Sequence, residues 1–354
     1  MSGTPHDSAA VGQRGIDTQA LARYLRTQID GFTGPLQAQR FPGGQSNPTF
    51  LITAGDRRYV LRSKPQGTLL ESAHAVDREF RILRALQDTA IPVARVHCLC
   101  TDLSVIGAMF YVMDHVPGRV FWQPSLPELS GGERAAVYEQ MNSVLARLHM
   151  LDPQVLGLAD FGKQGNYFSR QIARWTRQYR QSQTETIEAM DQLIEWLPQH
   201  IPEGDETTLV HGDYRIDNLI FHPNEPRIVA VLDWELSTLG HPLADLSYQL
   251  MAWELPSQEL RGLAGCDLAA LGIPHGPAYV EAYCRRVGRP PINPAHWDFY
   301  QAYNLFRVAA IRQGILRRAL NGNAASAHAL QAGSRARDMA ERGWRSAQAQ
   351  QSAA

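Results

Sequence analysis

Two kinds of periodicity divide this chain, and their order constrains its fold more than any single motif. Short β-like runs come first: Leu36 to Phe41, Thr49 to Thr53 and Arg58 to Ser63. Turn residues separate them, Pro42-Gly43-Gly44-Gln45-Ser46-Asn47 and then Ala54-Gly55-Asp56-Arg57. Runs joined this closely predict antiparallel hairpins. A helix follows, with Ala73, Val76, Phe80, Leu83 and Leu86 on one face and a stop at Ile91-Pro92. Ala94 to Cys100 and Ala108 to Met113 complete the strands. Beyond them helical spacing takes over, at Glu133 to Leu151, Phe168 to Arg180, Thr184 to Leu197, Leu243 to Trp253, Ala278 to Val287 and Trp297 to Leu320. Ahead of the strands, Asp17 is placed to cap a helix carrying Leu21, Tyr24, Leu25 and Ile29. Strands first and helices later predict an α+β chain in two lobes. The expected division is residues 1–113, a connecting stretch at 114–118, a helical part at 119–320, and a tail at 321–354 that is helical or frayed.

One segment interrupts the helices and carries the chemistry. The apolar Leu209-Val210 leads into His211-Gly212-Asp213, and Asn218 follows that Asp by five positions. A short strand, the Pro223-Asn224 turn and a second β-rich run, Ile228 to Leu232, then deliver Asp233. A carboxylate in a turn, with an amide and a second carboxylate on adjacent strands, suits phosphoryl transfer. Asp213 would orient a substrate hydroxyl and accept its proton. Asn218 and Asp233 offer the hard oxygens that Mg²⁺ prefers. Each residue alone has a plainer explanation, since a turn Asp caps backbone amides and an Asn often sits in a turn. Their company decides for chemistry. Asp217 could bind substrate or tie the loop, and the loop role is favoured.

Together with Gly240-His241-Pro242-Leu243-Ala244-Asp245-Leu246, this segment resembles the aminoglycoside phosphotransferase family, a branch of the protein-kinase-like fold. The resemblance runs over roughly residues 35 to 315, and in type is nearest the phosphotransferase domain related to the one fused to some acyl-CoA dehydrogenases. It implies an antiparallel β N-lobe with one helix and a mainly helical C-lobe. It also implies ATP, or GTP, with Mg²⁺, and transfer of the γ-phosphoryl group to a hydroxyl of a small molecule. Asp245 would anchor the catalytic loop by accepting backbone hydrogen bonds. In the kinase-like sites that this segment resembles, the corresponding His packs and hydrogen-bonds within the loop, which implies the same for His211 rather than a reactive role. Arg215 sits two positions past Asp213, where the resemblance to protein kinases implies a cation near the γ-phosphate, and a solvated surface charge is the alternative. Gly43, Gly44 and Ser46 would let backbone amides close over the phosphates. The chain departs from the kinase pattern at Tyr59-Val60-Leu61-Arg62, where the strand usually ends in Lys. Arg62 is the register match and is expected to contact phosphate and pair with Glu79, with Lys64 on the same strand face as the alternative. Asp114 and Val116 lie in the stretch whose backbone would meet the adenine edge. The family does not fix the acceptor, and a hydroxyacyl or hydroxyacyl-CoA metabolite is an alternative to an antibiotic. Tyr167, Trp175, Tyr179, Trp253 and Trp297 either shape the acceptor pocket or belong to the core.

Composition narrows the classes. The 354 residues, 44% hydrophobic and 19% charged, describe a soluble chain with a large core. A net charge of -1 argues against a nucleic-acid surface. No apolar run is long enough to span a bilayer, and residues Met1 to Gly15 lack a signal-like apolar stretch. Cys98, Cys100, Cys266 and Cys284 form no Cys-x-x-Cys pair, which predicts free thiols in the cytoplasm. A metallophosphoesterase also uses His-x-Asp and Asn, but needs His-rich metal loops that the chain lacks. A nucleotide-binding pseudokinase is opposed by Asp213, Asn218 and Asp233 and weakly favoured by the absent Lys.

Overall fold

A computed structural model describes residues 16–41, 47–65, 75–257, 261–322 and 329–353. The chain divides into two compact units, one of Met1–Phe80 and Arg95–His115, the other of Arg81–Ala94 and Val116–Ala354. The first unit is a five-stranded antiparallel sheet. Its strands are β1 (Leu36–Arg40), β2 (Thr49–Ala54), β3 (Arg57–Ser63), β4 (Val96–Cys100) and β5 (Phe110–Asp114), in the order β1-β2-β3-β5-β4. Ala54 pairs with Arg57, so the turn between β2 and β3 is two residues, and Gly55 supplies its left-handed φ of 60°. Helix α1 (Thr18–Gln28) covers one face. Asp17 starts it, its carboxylate accepting from the amides of Gln19 and Ala20 at 3.0 and 2.9 Å. Leu21 and Leu25 of α1 pack on Ile52, Tyr59, Leu61, Phe110 and Val112. Cys98 and Cys100 share that buried face, as their spacing predicts, and both are free thiols.

Helix α2 (Val76–Leu86) matches the periodic run, although Ala73 lies outside the described residues. The expected boundary at residue 113 is modified here, because residues 81–94 group with the second unit. Specific bonds hold them: Arg81 pairs with Asp160, Arg147 Nη1 donates to Ala90 O at 3.2 Å, and Val231 N donates to Pro92 O at 2.8 Å.

In the second unit, α3 (Gly131–His149), α4 (Tyr167–Ser182) and α5 (Glu188–Trp196) precede two short hairpin-like sheets. One pairs β6 (Thr208–Val210) with β9 (Thr238–Gly240), the other β7 (Leu219–Phe221) with β8 (Ile228–Val231). Helix α6 (Pro242–Glu254), a helix at Gly276–Val287 and a long helix at Pro294–Leu320 follow. Helix α5 begins four residues later than its periodicity suggests. The long helix claims that segment instead, since Gln313 Nε2 donates to Ser182 O at 3.2 Å and to Thr184 Oγ1 at 2.5 Å. The described part of the tail is helical from residue 329 onward apart from a short turn. Its last helix, Ala336–Ala353, buries Met339, Ala340 and Ala347, and Gly343 lies so close to Leu305 and Leu193 that a methyl would crowd them. Among the described residues no helix is long and apolar enough to cross a membrane.

Candidate active site

Strand β6 delivers a fully buried His211 and then Gly212, whose φ is 85°. A Cβ at Gly212 would sit 2.7 Å from Leu236 O, so the turn needs glycine for space as well as for φ. The two amides exposed by this turn are taken by one carboxylate. Asp245 accepts from His211 N at 2.5 Å and from Gly212 N at 2.7 Å. Asp245 is held in the first turn of α6, which Pro242 opens and which His241 caps by accepting from Leu243 N at 3.2 Å. Burial alone would push the Asp245 carboxyl up. The hydrogen bond from His149, the electrostatic pull of the His149 and His211 rings and the Gly212 amide outweigh burial and hold it below the usual carboxylate range. His211 Nδ1 accepts from Asp213 N at 3.1 Å, which leaves Nε2–H to donate to Leu232 O at 2.8 Å. Both ring nitrogens are therefore spent on backbone, in line with a supporting role.

Asp213 leaves this turn with both carboxylate oxygens engaged. Oδ1 accepts from the Tyr248 hydroxyl at 2.5 Å and Oδ2 from Asn218 Nδ2 at 3.0 Å. Asn218 Nδ2 also donates to Asp213 O at 2.9 Å, so the amide's other end, its carbonyl oxygen, is turned away from Asp213. Leu232 N donates to Asn218 O at 2.8 Å, which brings the end of β8 alongside Asn218. Asp233 follows at φ 63° and ψ 59°, a left-handed conformation that is costly for a residue with a side chain. Its carboxylate does not cap the 3₁₀ turn at Trp234–Leu236. Among the described residues no group of three or more His, Cys, Asp or Glu could hold a metal by itself. One amide oxygen and one carboxylate are what Mg²⁺ takes from a protein when phosphates and water supply the rest, so the donor set fits that ion. Asp217 pairs with Arg215 at 2.6 Å and with Arg261 at 3.4 Å, and Arg215 Nε lies 3.6 Å from Asp213 Oδ1.

In the first unit, Arg62 Nε lies 2.8 Å from Glu79 Oε2, while Lys64 Nζ is 3.8 Å from Asp77. Glu79 is buried and also accepts from the Tyr111 hydroxyl at 3.0 Å and from Asn47 Nδ2 at 2.9 Å. Asp114 Oδ1 is 2.7 Å from His97 Nε2, and its amide already donates to Arg95 O at 2.9 Å. Val116 is half-buried and is where the chain enters the second unit. Gly43, Gly44 and Ser46 lie outside the described residues.

Sequence reasoning missed Tyr248 and Arg307. Tyr248 stands three residues after Asp245 on α6, the same helix face, so it was within reach once Asp245 was assigned. Arg307 interrupts the apolar run Leu305 to Ala310 and is 5% exposed. A buried charge demands partners. Its Nη2 donates to Gly212 O at 2.6 Å, and its guanidinium lies 4.9 Å from the Tyr248 ring centre.

A cavity of about 510 Å³ opens beside Tyr248 and Asp217 within the second unit. Trp122, Met141, Met251, Trp253 and Leu255 form apolar wall. Arg215, Arg261, Arg312 and Arg335 supply four positive charges against the single carboxylate of Asp217. Of the aromatic residues expected to shape a pocket, Trp253 does so, whereas Tyr167, Trp175 and Tyr179 are buried core.

The phosphotransferase enzyme family matches residues 37–303. The chain is 49% identical over 345 residues to mouse acyl-CoA dehydrogenase family member 10, a match covering 97% of this chain and 32% of that protein. It thus spans about a third of that relative's length. A crystal structure from Ralstonia eutropha JMP134, provisionally assigned as an aminoglycoside phosphotransferase, is 52% identical with a TM-score of 0.88, covering 95% of this chain and 99% of that one. A thermostable mutant of aminoglycoside phosphotransferase APH(4)-Ia, solved with ADP and hygromycin B, shares the fold at a TM-score of 0.59 and 16% identity, over 92% of this chain and 98% of that one. These matches leave the metallophosphoesterase alternative without support. The antiparallel sheet with its helix, the helical second unit and the matched sequence agree, and the chain belongs to the phosphotransferase enzyme family with a protein-kinase-like fold.

Proposed function

We propose that this chain moves the γ-phosphoryl group of ATP to an alcohol of a small anionic molecule, with Asp213 as the base. The observation that carries this reading is the wiring of Asp213. Its backbone turn is clamped by the buried Asp245, and its Oδ1 is bonded to a residue that lines the cavity. An alcohol reaching Asp213 would be oriented by the carboxylate and would give it its proton late in transfer. Asn218 and Asp233 would hold Mg²⁺, which supplies charge neutralisation to the phosphates when bound. Arg62 would contact phosphate, its guanidinium held in place by Glu79. The strand end at Asp114 to Val116 would meet adenine, and Gly43, Gly44 and Ser46 would cover the phosphates. The APH(4)-Ia complex supports an adenine nucleotide and a small-molecule acceptor. The free thiols suit the reducing cytoplasm.

The charge of the cavity selects among acceptors. Four arginines and one carboxylate repel a polycationic aminoglycoside and attract a carboxylate or phosphate. The apolar wall of Met141, Met251, Trp253 and Leu255 suits an acyl chain. These features favour a hydroxyacyl or hydroxyacyl-CoA acceptor, a reading compatible with the acyl-CoA dehydrogenase name of the mouse relative.

The test is ATP consumption with Mg²⁺ against a panel of hydroxy acids, their CoA thioesters and aminoglycosides, with Asp213→Asn as the blank. Turnover is expected on the anionic alcohols, with a loss on the order of a hundredfold or more in the variant. Retention of most of kcat in Asp213→Asn would remove the base, and turnover on aminoglycosides alone would remove the acceptor class. ATP binding without turnover on any acceptor would restore the pseudokinase. Calorimetry of Asp233→Ala with Mg-ATP should show weakened binding, and unchanged affinity with unchanged activity would reject the metal role.

A further inference from the structure

We propose that Tyr248 guards the base, keeping water from using Asp213 until an acceptor enters the cavity. The inference rests on the assignment of Asp213 as the base. Asp213 Oδ1 is the oxygen on the Tyr248 side, and the 2.5 Å contact there is an O–H donating to a carboxylate. An incoming alcohol would present the same group, an O–H, to the same acceptor. Asn218 already donates to the other oxygen at 3.0 Å. Without an acceptor, each oxygen of the base is therefore matched to a donor from the protein.

The guard is held in place and exposed to the cavity at once. Its ring packs 4.9 Å from the guanidinium of Arg307, which also lies 5.7 Å from the Trp175 ring and donates to Gly212 O at 2.6 Å. One buried cation thus fixes both the tyrosine and the turn that carries Asp213. Helix α6 adds a second tie, since Asp245, one turn earlier, binds the amides of His211 and Gly212. Burial, followed by the Asp213 charge, pushes the Tyr248 hydroxyl upward, so it remains a donor at neutral pH. Tyr248 is also part of the cavity lining, so an acceptor in the cavity meets it directly. Displacing its hydroxyl exchanges one O–H···carboxylate bond for another. Water offers the same exchange, but without the apolar contact that would help a larger acceptor displace the phenol.

The reaction being suppressed is ATP hydrolysis. A water oxygen bonds to the γ-phosphorus, the bond from that phosphorus to the β–γ bridging oxygen breaks with its electron pair staying on ADP, and the water proton passes to Asp213 and then to solvent. Tyr248→Phe removes a single oxygen and keeps the ring and its contact with Arg307. Acceptor-free hydrolysis of Mg-ATP should rise roughly tenfold, the scale expected when one hydrogen bond to a charged group is withdrawn. ATP affinity by calorimetry and the melting temperature should stay near those of the unmodified protein. A crystal structure of the variant should show a water on Asp213 Oδ1. A tyrosine with a purely structural role would lower stability and leave hydrolysis flat or reduced, and that result overturns the proposal. Adding Asp213→Asn to Tyr248→Phe should abolish the gain. If the gain survives in the double variant, the base assignment falls and the guard with it. If Tyr248→Phe is flat while Asp213→Asn is inactive towards acceptor, only the guard is lost.

Discussion

Glu79 in the sheet unit and Asp245 in the helical unit are both acids with 2% exposure, yet they hold different things. Glu79 binds side chains: Arg62, Tyr111 and Asn47. Asp245 binds two backbone amides and His149. A buried carboxylate is costly in either setting unless its partners replace the lost water. The replacement does different work in the two places. Around Glu79 it aims a guanidinium that projects from a strand already fixed by its ladder. Around Asp245 it sets the path of the chain itself, through a turn that carries Asp213. One acid positions an atom, and the other positions a loop.

The comparison breaks first at Asp245. Asp245→Ala strands two amides and a histidine, and should cost about 3–5 kcal/mol in urea unfolding together with phosphoryl transfer. Glu79→Ala should cost less stability and act mainly on ATP use. If the stability losses fall in the reverse order, the distinction between the two acids is wrong.

The cap of α6 tests the same scaffold by pH. Burial, aided by Arg289, holds His241 down at about 4, against an ordinary 6.5. The folded protein therefore keeps this ring neutral where the unfolded chain takes a proton. Stability is complete above about pH 6.5 and falls as pH drops towards 4, by on the order of 3 kcal/mol if this group acts alone. His241→Asn, which keeps a capping acceptor, should flatten that slope in melts run between pH 7 and 4. A slope that persists unchanged assigns it elsewhere. Asp245, with its depressed carboxyl, should release its own contribution only at lower pH.

Gly212→Ala probes the turn rather than its anchor. The left-handed φ and the Leu236 carbonyl in the way predict a loss of about 1–3 kcal/mol and a larger drop in kcat than in ATP affinity. An alanine tolerated without effect would mean the turn is not held as tightly as its bonds suggest. The smallest effect is expected in the sheet unit. Arg62→Ala should raise the KM for ATP by roughly tenfold, and Lys64→Ala by less, because Arg62 is fixed by Glu79 at 2.8 Å whereas Lys64 has a looser partner in Asp77 at 3.8 Å. The reverse ranking would exchange their roles.

Much of this architecture is legible in the sequence. The five strands, α1 with its Asp17 cap and the helices of the second unit fall close to where alternation and helical spacing put them. The spacing from His211 to Asp233 marked a hairpin carrying acids, and the hairpin is there. The approach of Arg62 to Glu79 followed from the resemblance to the kinase strand and helix. What stayed hidden involves residues far apart in the chain. Tyr111 and Asn47 look like ordinary strand and turn residues until Glu79 gathers them. Arg307 is 95 positions from the carbonyl it binds. The delayed start of α5 and the docked last helix were decided by the long helix, which offers Gln313 to one and a close-packed face to the other.

By itself the sequence determined the elements, because period, caps and turn residues act over a few neighbours and need no partner. It also put forward the candidates for the chemistry, since a carboxylate and an amide at that spacing are already a chemical proposal. Tertiary structure alone decided the contacts that neither spacing nor resemblance implied. It put Tyr248 on Asp213, Arg307 on Gly212 and four arginines around one cavity. Those pairings depend on the packing of helices distant in the chain, and local propensity holds no information about a partner that only folding brings within 3 Å.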